Sequence, residues 1–451
     1  MEIQVKETSV VHPAQETPSH SLWISNLDIL NAQFGQVPMM YFYRRPPQPA
    51  SDRSDFFDSS LLKESLSKAL VAFYPLAGRL GRDENGRLQI DCNGEGVLFM
   101  EAETSCAIED DFTPSLKMKQ LVPAIDYSTG DISFHPLLLL QVTYFKCGGI
   151  CVGIGWHHIL GDGVSAFHFI KSWAEITCGL PISIPPSIDR TILHARIPSH
   201  PTFNHSEYHP PPPMDILESQ SSPRPTSMAR FRLSLDQINA FKAKLKNEHG
   251  TMYSTFVILA AHVWCCVCKA RGLSANQSTK LYIPIEGRLR LNPPLPLGHL
   301  GNVVFTATSI ALASDIQSKP LIYTVKIIHE TLKRMNDEYL RSTLAYVEQH
   351  YNDLMTIKQR VPRSSCCPNL RIVSWARMPI YDADFGWGSP IFMSRTIVSY
   401  EGSSFILPSP SNERSLFLII CLESPHMELF KKLLYTEGVA PMKKYYKPSS
   451  L

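Results

Sequence analysis

Trp156-His157-His158-Ile159-Leu160-Gly161-Asp162-Gly163 is the stretch whose reading decides the fold. It closes an apolar run, Ile150 to Trp156, which follows a Cys147-Gly148-Gly149 turn and an earlier apolar run from Leu137 to Phe145. Two short apolar runs flanking a glycine turn predict a hairpin of buried strands. His158 then falls just past a strand end, with Asp162 four residues further on. From Ser165 to Ile176 the residues Ala166, Phe169, Ile170 and Trp173 return at helical spacing. The segment is therefore a strand–turn–helix corner, with Gly161 and Gly163 permitting the tight turn.

An imidazole is the side chain best suited to take a proton near neutral pH, and a carboxylate on the same turn keeps the ring in place. A hydroxyl or amine that is to act as a nucleophile needs such a base to take its proton. Taken alone, the spacing is met more often by a histidine that only packs. A metal site fits poorly, because two glycines make the segment a turn and no third ligand is near. Spacing selects His158 as the base and leaves His157 as a packing or tautomer-orienting neighbour.

A second signature, Asp384-Phe385-Gly386-Trp387-Gly388, sets two glycines around an aromatic. It reads as a structural turn with a buried carboxylate. A buried Asp needs a cationic partner, and Arg288, in Glu286-Gly287-Arg288-Leu289-Arg290, is the candidate.

Outward from these motifs the chain alternates strands and helices. Leu62, Leu66, Leu70 and Phe73 mark a helix that Pro75 ends, Asn85-Gly86 a hairpin turn before a strand at Arg87 to Cys92, and Val97 to Met100 a further strand. In the second half, helices are expected at Ser254 to Arg271, Lys319 to Leu340 and Met427 to Leu434. Strands are expected at Leu281 to Ile285, Val303 to Ala307 and Leu416 to Leu422. Between the halves lies a proline-rich crossover that includes Pro210-Pro211-Pro212-Pro213. The expected organisation is residues 1–178, a crossover at 179–227, and residues 228–451. Two α/β halves facing each other leave a ligand site at their interface.

The 451 residues are 44% hydrophobic with a net charge of +2, so a large core is expected and no nucleic-acid footprint. The start, Met1 to Glu7, lacks a basic region followed by an apolar core, and no apolar stretch reaches the roughly 20 residues of a membrane span. A cytoplasmic location is the expectation. The 11 cysteines lack the paired spacing of zinc sites and read as reduced, mostly buried thiols.

The paired His158-x-x-x-Asp162 and Asp384-Phe385-Gly386-Trp387-Gly388 motifs resemble those of the BAHD family of coenzyme A-dependent acyltransferases. Phe73-Tyr74-Pro75-Leu76-Ala77-Gly78-Arg79-Leu80, Ile90-Asp91-Cys92-Asn93-Gly94, Lys269-Ala270-Arg271-Gly272-Leu273 and Pro379-Ile380-Tyr381-Asp382-Ala383-Asp384 extend the likeness. They resemble the subgroup that transfers hydroxycinnamoyl groups to shikimate or quinate. The resemblance implies an α/β, two-domain chloramphenicol acetyltransferase-like fold with mixed sheets and the active site in a channel between domains. It implies acyl-CoA as co-substrate, a small-molecule acceptor, no metal or other cofactor, no nucleic-acid or membrane partner, and a monomer. His158 is then the general base; Asp162 and Asp384 carry the roles of the family's two aspartates. Ser254, Arg288 and Ser409 are candidate CoA contacts. Val37, Met39, Tyr41, Arg360, Val373 and Trp375 are candidate acceptor contacts.

Several residues depart from the subgroup. Val37-Pro38-Met39-Met40 stands where shikimate-using relatives carry small hydroxyl residues, and Val373 where they carry threonine. Ser389 replaces an arginine after the second motif. The chemistry survives these changes, but they predict an acceptor other than shikimate. An amine acceptor would use the same base, and a catalytically silent binding protein is disfavoured by the intact His158.

Overall fold

The computed structural model describes residues 2–32, 35–45, 57–108, 112, 116–127, 130–196, 199–209, 225–249, 252–354, 367–395, 400–410 and 414–436. Among them, the predicted hairpin forms from Leu138–Phe145 and Ile150–His157, paired antiparallel. All eight residues of Ile150–His157 are buried, as an apolar run without alternation requires. This hairpin is the centre of a six-stranded mixed sheet, in the order Gln4–Val11, Val97–Thr104, Leu138–Phe145, Ile150–His157, Gln36–Tyr43 and Phe392–Arg395. The last strand comes from the far end of the chain and pairs antiparallel with Gln36–Tyr43.

A second six-stranded mixed sheet runs Val304–Leu312, Ser278–Glu286, Leu370–Ser374, Ser403–Pro408, Leu416–Glu423, Thr226–Leu233. Leu370–Ser374 sits at its centre, parallel to both neighbours. His20–Trp23, Leu88–Cys92 and Arg79–Arg82 make a small third sheet. The fold is the expected α/β arrangement of mixed sheets.

Helices cover these sheets. Ser59–Ala72 packs on Gly163–Thr177, pinned where Trp173 Nε1 donates to Leu62 O at 3.2 Å and Ser65 Oγ at 3.1 Å. Thr255–Arg271 is apolar nearly all round and buried accordingly, capped by Ser254 at its start and by Gly272 at its end. The single long helix expected from Lys319 to Leu340 is two helices, Leu321–Lys333 and Asp337–Gln349. Asn336 causes the break: its side chain accepts from Tyr339 N and starts the second helix, which an unbroken amphipathic pattern conceals. No helix among the described residues is long and apolar enough to cross a membrane.

Candidate active site

A cavity of about 280 Å³ opens at His158, between the two sheets. Val37, Met39 and Trp156 come to it from the first sheet, and Arg371, Val373 and Phe405 from the second. Gly163 and Val164 belong to the first turn of the helix after the motif. A Cβ at Gly163 would meet Met378 Sδ at 3.4 Å and Trp375 Nε1 at 3.5 Å, ordinary contact distances.

Neighbouring backbone holds His158 in place. Its N–H donates to Gly35 O at 2.9 Å, and its carbonyl accepts from Asn302 Nδ2 at 2.8 Å. Asn302 is itself held by buried Asp28, whose Oδ1 accepts from Asn302 N at 2.7 Å and Nδ2 at 2.9 Å. Burial lowers the His158 pKa below the ordinary imidazole value. A hydrogen bond to its own backbone and the charge of Asp162 oppose that shift, while Arg395 and Arg371 add to it. The ring is therefore neutral, and able to accept a proton, at neutral pH. His157 is different. Its Nδ1 accepts from Ile159 N at 3.2 Å, Tyr127 packs edge-on against it, and burial drives its pKa down to about 3.

Asp162 caps the helix Gly163–Thr177 through Ser165 N at 3.1 Å, and its Oδ2 accepts from Val303 N at 3.0 Å. Arg288 closes on the same carboxylate with two hydrogen bonds. Its remaining donors reach Ser165 Oγ, Gly301 O, His299 O and Glu286 Oε1. Desolvation works against the charged Asp162, but Arg288 and the two backbone donors outweigh it and hold the carboxyl below its usual range.

This corrects two expectations. Arg288 pairs with Asp162, not with Asp384. It is also 4% exposed, with its donors engaged inside the protein. Asp384 is exposed rather than buried. Its Oδ1 accepts from Gly386 N and Gly388 N, both at 2.9 Å, and so needs no cation. The two glycines have φ of 92° and 88°, the left-handed backbone that lets both amides turn back onto one oxygen. Phe385 and Trp387 point inward, against Trp173 at 4.7 Å and Tyr43 at 5.4 Å between ring centroids. None of residues 384–388 lines the cavity.

Of the other predicted residues, Val37, Met39, Val373 and Trp375 line the cavity with His158. Tyr41 is buried, its hydroxyl without a hydrogen-bond partner among the described residues. Ser254 is exposed as a helix cap, its Oγ accepting from Val257 N, and Ser409 N donates to Ser415 O; neither lines the cavity. Arg360 lies outside the described residues.

Sequence reasoning missed Asn302, Arg371 and Arg395. An arginine inside Leu370-Arg371-Ile372-Val373 was the available signal, because a lone charge in an apolar strand at the centre of a sheet calls for a use. Arg395 closes the short strand Phe392–Arg395, and its guanidinium stacks on Phe405 at 4.4 Å and Trp375 at 5.7 Å.

The chain matches the model of the Transferase family over residues 1–436. It is 51% identical to the shikimate O-hydroxycinnamoyltransferase of Nicotiana tabacum, with 96% of this chain and 100% of that protein covered. It is 46% identical to a hydroxycinnamoyl-CoA:5-hydroxyanthranilate N-hydroxycinnamoyltransferase of Avena sativa, covering 96% and 99%. Among solved structures, vinorine synthase superposes with a TM-score of 0.73 over 95% of this chain and 96% of that one, at 23% identity.

Proposed function

Because the chain belongs to the BAHD family of acyl-CoA-dependent acyltransferases, we propose that it moves a hydroxycinnamoyl group from coenzyme A to a hydroxyl acceptor, with His158 as general base. The observation that carries this reading is a neutral imidazole fixed at the wall of the cavity. The neutral ring takes the acceptor's proton as its oxygen attacks the thioester carbonyl. The tetrahedral intermediate collapses by breaking the C–S bond, and the imidazolium returns the proton to the leaving thiolate. Trp375 lines the same cavity, and its indole N–H donates to no described residue, which suits it to the oxyanion of that intermediate. Asp162 acts through structure: it caps the helix and, through Arg288, ties that turn to residues 299–303.

The tobacco relative's name carries shikimate. Val37, Met39 and Val373 argue against that acceptor here, since an apolar wall leaves substrate hydroxyls unpaired. A second reading, transfer to an amine, has the support of the oat relative, whose name carries N-acylation. Both readings use the same base.

The test is incubation with p-coumaroyl-CoA and a mixed panel of alcohols, phenols and amines, reading free thiol and product. His158→Ala should lower kcat by about 10²- to 10⁴-fold while acyl-CoA still binds. Near-native turnover in that variant, or a larger loss in His157→Ala, would reject the assignment.

A further inference from the structure

Arg395 lines the cavity from the last strand of the first sheet. Its Nε is buried without an acceptor, and its guanidinium makes no ion pair among the described residues. The acids that line the same cavity, Asp162 and Glu286, are both engaged by Arg288. What Arg395 does meet is aromatic: Phe405 at 4.4 Å and Trp375 at 5.7 Å to the ring centroids. A ring face attracts the charge but accepts none of the directed N–H bonds, so those donors still lack an acceptor. Burial pulls the pKa down to about 10, and the charge of Arg371 adds to the effect, so the group remains a cation at neutral pH. Such a desolvated cation is costly until an anion meets it.

The sheet sets where that anion sits. Arg395 stands opposite Met39 in the antiparallel pair with Gln36–Tyr43. His158 is tied to the leading end of the same strand, where its N–H donates to Gly35 O. From Gly35 to Met39 an extended chain covers about 13 Å. Both side chains line one cavity, and Val37, Met39, Val373 and Phe405 give that cavity an apolar wall.

We propose that Arg395 is a specificity-determining residue, which binds a carboxylate on the acceptor and selects acids with an apolar body, such as an aromatic ring, between carboxylate and reacting hydroxyl. The proposal rests on the reading that His158 activates the acceptor at this cavity. The acyl chain of a hydroxycinnamoyl thioester is uncharged. The phosphates of coenzyme A lie at the far end of the pantetheine arm from the thioester. The acceptor is the remaining source of charge. Arginine suits the task, because its planar fork meets a carboxylate with two parallel hydrogen bonds. Phe405 and Trp375 hold the fork in orientation before the ligand arrives. An acid whose hydroxyl and carboxylate are on adjacent carbons is too short to meet both anchors. The bound carboxylate also offsets a charge that lowers the proton affinity of His158.

Acids and their neutral amides of the same shape test this with p-coumaroyl-CoA: 3-hydroxybenzoate against 3-hydroxybenzamide, and lactate against lactamide. In wild type, kcat/KM for 3-hydroxybenzoate should exceed that for its amide by about tenfold or more, while the lactate pair should differ little. Arg395→Gln should bring the aromatic ratio toward one, and Arg395→Lys, which keeps the charge but loses the fork, should retain part of it. Calorimetry on the wild-type chain, with benzoate against benzamide and no acyl-CoA, needs neither turnover nor a variant and should show the same preference. Equal binding of benzoate and benzamide, or a ratio unchanged in Arg395→Gln, would overturn the assignment. An equal preference for lactate over lactamide would overturn the spacing. With phenol as acceptor, an Arg395-dependent preference for succinyl-CoA over p-coumaroyl-CoA would put the carboxylate on the acyl donor and likewise overturn the proposal. Thiol release that depends on His158 but ignores acceptor charge would sink this proposal alone. Arg395-dependent benzoate binding with no thiol release from any acyl-CoA would instead sink the acyl-transfer reading.

Discussion

Arg288 grips Asp162 with both arms of its guanidinium, Nη1 on Oδ2 at 2.8 Å and Nη2 on Oδ1 at 3.1 Å. The pair bridges the two halves of the molecule four residues from the candidate base. Both side chains are at most 5% exposed, so neither charge has water to fall back on.

Asp162→Ala strands that buried guanidinium and should cost about 3–5 kcal/mol of stability, lowering Tm together with activity. Asp384 gives the contrast. Its carboxylate only gathers two turn amides at the surface, so Asp384→Asn, which keeps an acceptor oxygen, should melt close to wild type. Thermal unfolding of the two variants checks both statements. Equal losses in Asp162→Ala and Asp384→Asn would undo the distinction.

The lowered pKa of His158 predicts the acid limb of kcat/KM. Activity should stay level from pH 8 down past the ordinary imidazole value of 6.5 and fall only below it. Asn302→Ala removes the donor on the His158 carbonyl and should lower kcat by about tenfold with little change in acyl-CoA KM. A pH–rate profile whose acid limb lies above 6.5 would contradict the environment described for the ring.

His299 controls part of the pH dependence of stability. It is 1% exposed, and burial, aided by Arg288 and Arg190, lowers its pKa from 6.5 to about 4. The unfolded chain therefore binds a proton that the folded chain refuses between those values. The contribution is fully present above pH 6.5 and is lost as pH falls toward about 4, amounting to about 3 kcal/mol. His299→Gln should flatten the fall of Tm with pH over that window, measured by scanning at fixed ionic strength.

Shikimate should be a poor acceptor, because Val37, Met39 and Val373 line the cavity without a hydroxyl among them. Each unpaired substrate hydroxyl costs on the order of 1–3 kcal/mol, so kcat/KM should lie several powers of ten below that of the best acceptor. Val37→Ser with Val373→Thr should narrow the gap. A wild-type preference for shikimate would mean that these side chains pack without meeting the acceptor.

The hairpin and helix around His158 were legible because each is one contiguous run with one period. The pairing of Arg288 was not: its two possible aspartates lie far away in sequence, and composition does not reveal which is buried. Phe392–Arg395 escaped notice because four residues carry little periodicity and their sheet partner lies near the opposite end of the chain. Arg371 and Arg395 stayed hidden for a related reason. What makes them informative is their place in the wall of the cavity, and that depends on three dimensions.

The strand Phe392–Arg395 also has a consequence for biosynthesis. Until residue 395 has left the ribosome, Met39 to Phe42 form an open edge of an otherwise assembled sheet. Such an edge offers unpaired amides and carbonyls to any extended segment nearby. Chains cut short before this strand should therefore aggregate rather than yield a folded first half. Cutting the chain within residues 179–227 should therefore not give two independently folding fragments, and reassembly from separately made halves should require that they be produced together.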